Sequence, residues 1–258
     1  MELVDTHCHP NFADFTVDPS KAIADAHDAG VTRLIVVGTT LEDSRAAIDL
    51  VAGHEKVWAA AGVHPHAARE YLEASDAALQ LRSLLAKPKV VAAGEIGLDF
   101  YKGYSTKQDQ EETLRAQLEE GLSAGLPIIF HVRDAWETFW RIVDDYQGVK
   151  GVVHSFSAHQ EQLEQILERD LYVGLNGIMT FTKDNKQLAA AKNVPTSKLL
   201  LETDAPFLAP KPFRGQRCEP KHTRTIAEFL ADLRGETVEE LAAASTKNAV
   251  ELFSLKDG

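Results

Sequence analysis

Two histidines stand two residues apart in His7-Cys8-His9, directly after the apolar start Leu3-Val4. On a β-strand, residues i and i+2 point to the same face, so both imidazoles can converge on one point at a strand's end. Convergent imidazole nitrogens are ligands for a divalent metal ion. One His-x-His is weak evidence, but the same chemistry recurs at the ends of other strand-like runs. Glu95 lies in Gly94-Glu95-Ile96-Gly97, His131 and His154 each close a run of their own, and Asp204 follows Glu202-Thr203. Singly, each has a plainer reading: a strand-end histidine is ordinarily a core residue, and a strand-end acid is often a helix N-cap, a role open to Asp204 ahead of Ala205-Pro206. Together, His7, His9, His131 and His154 with Glu95 and the Glu202-Thr203-Asp204 end offer four imidazoles and two carboxylates, groups too costly to bury without partners.

Six donors exceed what one ion with an open position needs. Glu95, shared, would hold two ions about 3.5–4 Å apart. Nitrogen with carboxylate suits Zn²⁺, Mn²⁺ or Fe²⁺, whereas carboxylates with water suit Mg²⁺. The expected cofactors are therefore two divalent ions, Mg²⁺, Mn²⁺ or Zn²⁺.

The elements that must position these residues alternate along the chain. Strands are predicted at 3–6, 31–37, 57–63, 90–96, 128–132, 151–154, 172–175 and 199–202. Helices are predicted at 19–29, 41–52, 67–85, 108–124, 134–146, 160–169, 186–191, 221–233 and 238–252. Asp18 is a plausible cap for the first helix and Gly30 its stop. Mostly unpatterned strands between helices imply parallel strands covered on both faces. The expected fold is α/β, a (β/α)8 TIM barrel of the metallo-dependent hydrolase type, in one domain over residues 1–258. Such a barrel typically takes about 250 residues and gathers all its C-terminal strand ends at one mouth. An open doubly wound sheet is the competing architecture, but no glycine-rich phosphate fingerprint follows the first strand.

Composition narrows the function classes. A formal net charge of −12 argues against a general nucleic-acid binder, though not against an enzyme with a local cationic mouth or bound divalent ions. Two cysteines, Cys8 and Cys218, give no disulfide framework. No transmembrane or secretory pattern is seen, which makes the cytoplasm the expected compartment, and no dimerisation motif is evident, so a monomer is expected.

One segment departs from the acidic background. Ala205-Pro206-Phe207 through Lys211-Pro212-Phe213-Arg214-Gly215-Gln216-Arg217 carries three cations and no acid. Arg214 could fork onto phosphate oxygens, and Phe207 or Phe213 could stack on a base. Arg133 and the Tyr101-Lys102 pair could add contacts. The plainer reading is a proline-stiffened loop with solvated cations. His64 and His66, in Gly62-Val63-His64-Pro65-His66, close the third strand and could touch substrate or support the ligands. His27, His54 and His159 fall on helices and are expected at the surface; His222 is uninformative alone.

The chain resembles the TatD family of metal-dependent deoxyribonucleases. Asp5-Thr6-His7-Cys8-His9, Gly62-Val63-His64-Pro65-His66, Gly94-Glu95-Ile96-Gly97-Leu98-Asp99-Phe100-Tyr101 and His131-Val132-Arg133-Asp134-Ala135 carry the likeness. So do His154-Ser155-Phe156-Ser157, Gly174-Leu175-Asn176-Gly177, Glu202 through Pro210, Arg214-Gly215 and Asn248 through Phe253. Cys218, where relatives often carry Asn, and Ser155, where Cys is common, are small departures. The resemblance implies His7, His9, Glu95, His131, His154 and Asp204 as metal ligands. It also implies hydrolysis of DNA, often from an end. On that reading Asp204 and Glu95 are catalytic: Glu95 bridges the ions, and Asp204 accepts a proton from the attacking water. Arg133, His64, Arg214, Phe207 and Tyr101 are the expected substrate contacts, single-stranded DNA ends the expected partner, and no membrane is involved.

Two rivals remain. Barrel hydrolases of cyclic amides or esters often carry a carboxylated lysine at the end of the fourth strand, where this chain has Glu95. A non-catalytic metal-binding scaffold is the other.

Overall fold

The computed structural model describes residues 1–12 and 18–256. They carry strands β1 (Leu3–Cys8), β2 (Val31–Val37), β3 (Val57–Ala61), β4 (Val90–Asp99), β5 (Ile128–Arg133), β6 (Gly151–Val153), β7 (Tyr172–Leu175) and β8 (Leu199–Leu201). The helices are α1 (Pro19–Asp28), α2 (Leu41–Ala52), α3 (Ala68–Glu73), α4 (Ala77–Leu85), α5 (Lys107–Ser123), α6 (Trp136–Val143), α7 (Gln160–Glu168), α8 (Ile178–Phe181), α9 (Asn185–Asn193), α10 (Thr223–Arg234) and α11 (Val238–Phe253). The strand order is the chain order, β1 through β8, which is the topology of a (β/α)8 barrel.

Two compact units divide the chain. The first comprises Met1–Val36, Glu55–Val57 and Ser155–Gly258. Here β1 pairs in parallel with β2 (Leu3↔Val31, Cys8↔Val36) and β7 with β8 (Val173↔Leu199, Leu175↔Leu201). Cys8, the last residue of β1, bridges Ala205, which lies beyond the end of β8. The Asp204 N–H donates to the His7 carbonyl at 2.8 Å, and the His9 N–H to the Ala205 carbonyl at 2.7 Å. Every residue of β1 is buried, as expected for a parallel strand covered on both faces. Helix α11 packs on β1 and β8; a capping box between Thr237 and Glu240 starts it. Asp18 caps α1 through the Ser20 N–H, and Gly30 follows it at φ +88°, a conformation that favours glycine.

The second unit comprises Val37–His54 and Trp58–His154. Its strands run β3-β4-β5-β6, with Ala61 beside Ala93, Gly97 beside His131, and Phe130 beside Val153. Helix α5 lies against β4, and its buried glutamines clamp the strand ends. Gln117 accepts from the Val63 N–H at 2.7 Å and donates to the Val63 carbonyl at 2.9 Å. Gln110 does the same for Asp99, at 2.8 and 3.0 Å. Each amide satisfies a donor and an acceptor that burial would otherwise strand.

Two local expectations need correction. The helix expected over 67–85 is broken: α3 ends at Glu73, Ala74 turns to ψ 107°, and α4 begins at Ala77. Strand β4 continues to Asp99 rather than stopping at Ile96. There Gly97 lets the backbone of β4 pass close to β5, since a Cβ at that position would sit 1.8 Å from the His131 carbonyl oxygen. Helix α8 has four residues, too few for apolar periodicity to reveal.

Candidate metal centre

Each unit carries its own cluster of donors at C-terminal strand ends. In the first, the Nε2 atoms of His7 and His9 lie 3.1 Å apart, and Asp204 Oδ1 is 3.8 Å from the first and 3.4 Å from the second. His7 and His9 are buried and Asp204 partly so. Asp204 adopts φ +59°, a left-handed conformation that aspartate tolerates better than most residues. No helix starts there, which removes its capping role. Beneath the pair, Asp5 accepts from the His7 N–H at 3.2 Å, the Thr203 N–H at 3.0 Å and the Thr203 hydroxyl at 2.6 Å. Burial pushes the Asp5 pKa up to about 7 against these hydrogen bonds. Glu202, fully buried, accepts from the Ser155 N–H at 2.6 Å.

In the second unit Glu95 is the hub. Its Oε1 lies 2.8 Å from His131 Nδ1, 2.8 Å from His154 Nε2 and 3.5 Å from His64 Nε2. His131 Nδ1 and His154 Nε2 face each other at 3.1 Å. Donor atoms of His64, Glu95 and His131 all fall within 4.8 Å of one another. Asp99 sits behind His131: its Oδ2 is 3.4 Å from His131 Nε2 and 2.9 Å from His66 Nε2. Burial holds the His64 pKa well below the ordinary imidazole value despite Glu95 beside it. Burial also opposes protonation of His131, but the hydrogen bonds to Asp99 and Glu95 outweigh it and raise its pKa. Asp99 follows the same logic with the opposite result. Burial works to raise it, while hydrogen bonds from His131, the Lys102 N–H and His66 hold it below the usual carboxylate range.

These donor sets fit a divalent cation. Two nitrogens each about 2.0–2.1 Å from one ion end up roughly 2.9–3.4 Å apart at ordinary coordination angles, and both imidazole pairs meet that spacing at 3.1 Å. Each pair also has a carboxylate oxygen beside it, the mixed donor set that zinc and manganese favour.

The expected substrate residues differ in setting. Tyr101 is 59% exposed, and the Arg133 guanidinium carbon lies 3.9 Å from its ring centre. Phe207, 52% exposed, stands 6.5 Å from the His9 ring and 6.2 Å from Phe12, edge-on to both. Arg214 stacks on Phe181 at 3.8 Å and donates to the Ala209 carbonyl at 2.9 Å, so it braces its loop while remaining exposed. Phe213 stacks on His222 at 4.5 Å, which occupies one face of its ring. His159 is exposed and paired with Asp184 at 2.9 Å; His27 and His54 are partly buried.

Asp99, beside His131 and His66, is a residue to which sequence reasoning gave no role. Glu95, Gly97 and Asp99 alternate along β4, so the strand period was the available signal.

A family model described as TatD related DNase matches residues 4–254. The chain belongs to this family. A Bacillus subtilis relative, an uncharacterized metal-dependent hydrolase named YabD, is 36% identical over 255 residues, covering 98% of this chain and 99% of that one. A Citrobacter rodentium TatD protein, named as a 3'-5' ssDNA/RNA exonuclease, is 36% identical and covers 94% of each chain. The crystal structure of the Escherichia coli K12 TatD homologue YJJV superposes at a TM-score of 0.90 with 31% identity, over 98% of each chain. Across the TatD neighbours the fold is the (β/α)8 TIM barrel expected from sequence.

Proposed function

We propose that this TatD-family protein is a metal-dependent nuclease that removes nucleotides from single-stranded DNA or RNA ends. The observation that carries the reading is the pair of facing imidazoles, each with an acid alongside: His7 and His9 with Asp204, and His131 and His154 with Glu95. These six residues are the proposed ligands, Asp204 the carboxylate of the first cluster and Glu95 that of the second. A bound divalent ion supplies a water that ionises near neutral pH and neutralises charge on phosphate.

The chain's own residues do the rest. Asp204 Oδ accepts the proton released by the attacking water. Arg133 faces the phosphate backbone with a fixed guanidinium fork, and Tyr101 and Phe207 offer exposed rings on which bases stack. His64 donates toward Glu95 or substrate, and Arg214 keeps its loop in place while presenting positive charge. The relatives' names support single strands, attack from the 3' end and tolerance of RNA. The rival cyclic-amide chemistry would leave these rings and cations without a role.

The deciding assay uses chelator-treated protein, a single-stranded oligonucleotide labelled at either end, and Mg²⁺, Mn²⁺ or Zn²⁺ added singly. Metal-dependent release of mononucleotides from the 3' end is expected. An oligonucleotide left intact with every metal, alongside turnover of a lactone, would overturn the reading.

A further inference from the structure

The loop after β4 turns two large rings toward solvent. Tyr101 is 59% exposed and Tyr104 67%, two of the five large apolar side chains left exposed among the described residues. One exposed ring is ordinary; two so close in one loop call for a reason. The same stretch, Phe100 through Lys107, carries two lysines and no acid on a chain of net charge −12. Arg133 adds a third cation, over the Tyr101 ring. Rings for bases and cations for phosphates are the combination that binds single-stranded nucleic acid.

The loop is fixed at both ends. The Gln110 side-chain amide donates to the carbonyls of Asp99 and Ser105, at 3.0 and 3.1 Å. The N–H groups of Tyr101 and Lys102 donate to Asp99 Oδ1. The buried Ser105 hydroxyl donates to the His66 carbonyl at 3.0 Å and accepts the Arg69 N–H at 3.3 Å. Between the tyrosines, Gly103 turns the chain at φ +65°, a conformation that favours glycine. A loop held this way presents its rings already ordered, which lowers the entropic cost of binding.

The two rings have different neighbours. Tyr101 carries Arg133. Tyr104 meets the His66 ring edge-on, with centres 4.7 Å apart. From there a row of rings leads inward, His66 to His64 at 4.2 Å and His64 to His131 at 4.4 Å. Tyr104 is thus the exposed outer end of a row whose inner end, His131, lies beside Glu95.

We infer that Tyr104 is a substrate-binding residue, the platform on which a base of a single strand stacks while its backbone runs toward the His131–Glu95 cluster. The inference rests on the nuclease reading above and adds a contact to it. Stacking uses the face that every base has, so the contact tolerates any sequence. It does not involve the sugar, so DNA and RNA strands should gain from it alike.

Fluorescence anisotropy of labelled single strands on the full-length protein with Mg²⁺ tests it, with phosphorothioate linkages protecting the strands from cleavage. Tyr104→Ala should weaken binding about tenfold, as for one lost stacking contact. Tyr104→Phe, which keeps the ring, should bind as the wild type does. Strands with a single abasic site, moved stepwise from the 3' end, separate stacking from a change of loop shape. At one position the abasic strand should bind the wild type about tenfold more weakly and no longer distinguish it from Tyr104→Ala. Equal Kd values for wild type and Tyr104→Ala on the intact strand overturn the inference, and so does a loss that stays the same on every abasic strand. In both cases the intact strand still binds, and the nuclease reading stands. A single strand that does not bind the wild type at all overturns the nuclease reading and this inference with it.

Discussion

The Arg133 guanidinium carbon lies over the Tyr101 ring, 3.9 Å from its centre. The two residues come from the end of β5 and the loop after β4, and Asp99 anchors that loop through the Tyr101 N–H. The stack holds the arginine's planar fork in one orientation at low entropic cost. Tyr101→Ala should weaken single-stranded oligonucleotide binding about tenfold, within the range of one lost base-stacking contact. Arg133→Ala should weaken binding and also reduce the salt dependence by about 0.7 in the log–log slope, one phosphate contact on a single strand. Fluorescence anisotropy across a salt series reads both; a slope unchanged in Arg133→Ala removes the phosphate role.

Much of this was legible in the sequence because its strands are short apolar runs with chemistry at their ends. His131 and His154 lie where a run of buried residues stops, and the family likeness joined them to His7, His9, Glu95 and Asp204. What escaped was what depends on contacts distant in sequence. Asp99 was hidden because β4 was ended at Ile96; the pairing of Gly97, Leu98 and Asp99 with His131, Val132 and Arg133 extends the strand. The stacking of Arg214 on Phe181 was equally invisible, since α8 is too short to announce itself and the two residues are far apart in the chain. The break between α3 and α4 hangs on Ala74, a good helix former that packing and backbone geometry override.

Asp204 provides the cleanest test of catalysis. Its φ of +59° suits Asn as well as Asp, so Asp204→Asn should fold normally. The amide cannot take a proton, and turnover should drop at least about 100-fold, the ordinary worth of a general base. Asp204→Ala should lose activity and also about 1 kcal/mol of stability, because alanine lacks that tolerance for left-handed backbone. Circular dichroism melts and initial rates separate the two effects. Wild-type rates in Asp204→Asn would sink the proposed role.

Metal should stabilise the fold as well as activate it. Both imidazole pairs hold nitrogens at 3.1 Å, an arrangement that a cation relieves. At a free metal concentration of 100 times Kd, binding to the native state alone adds about 2.7 kcal/mol. For a chain of 258 residues that corresponds to a rise of roughly 5–10 °C in Tm. Differential scanning fluorimetry of chelated protein with Mn²⁺ or Zn²⁺ checks it. A Tm indifferent to metal would mean the donor clusters do not act as a centre.

His222 makes stability depend on pH away from the proposed ligands. Its Nδ1 accepts the Glu219 N–H at 3.1 Å, and its ring stacks on Phe213 at 4.5 Å. Burial lowers its pKa; Glu219 pulls the other way and Lys221 adds to the lowering. The unfolded chain, with an imidazole pKa of about 6.5, therefore takes up the proton first. The stabilising contribution is complete above about pH 6.5 and is lost as pH falls below it toward the folded-state value. His222→Asn keeps an oxygen acceptor for the Glu219 N–H but titrates nothing. The variant should be about 1 kcal/mol less stable at pH 8 for want of ring stacking. That deficit should shrink as acid strips the contribution from the wild type. Urea unfolding of both proteins from pH 8 to 5 measures the difference directly, and a gap of constant size across that range would rule the mechanism out.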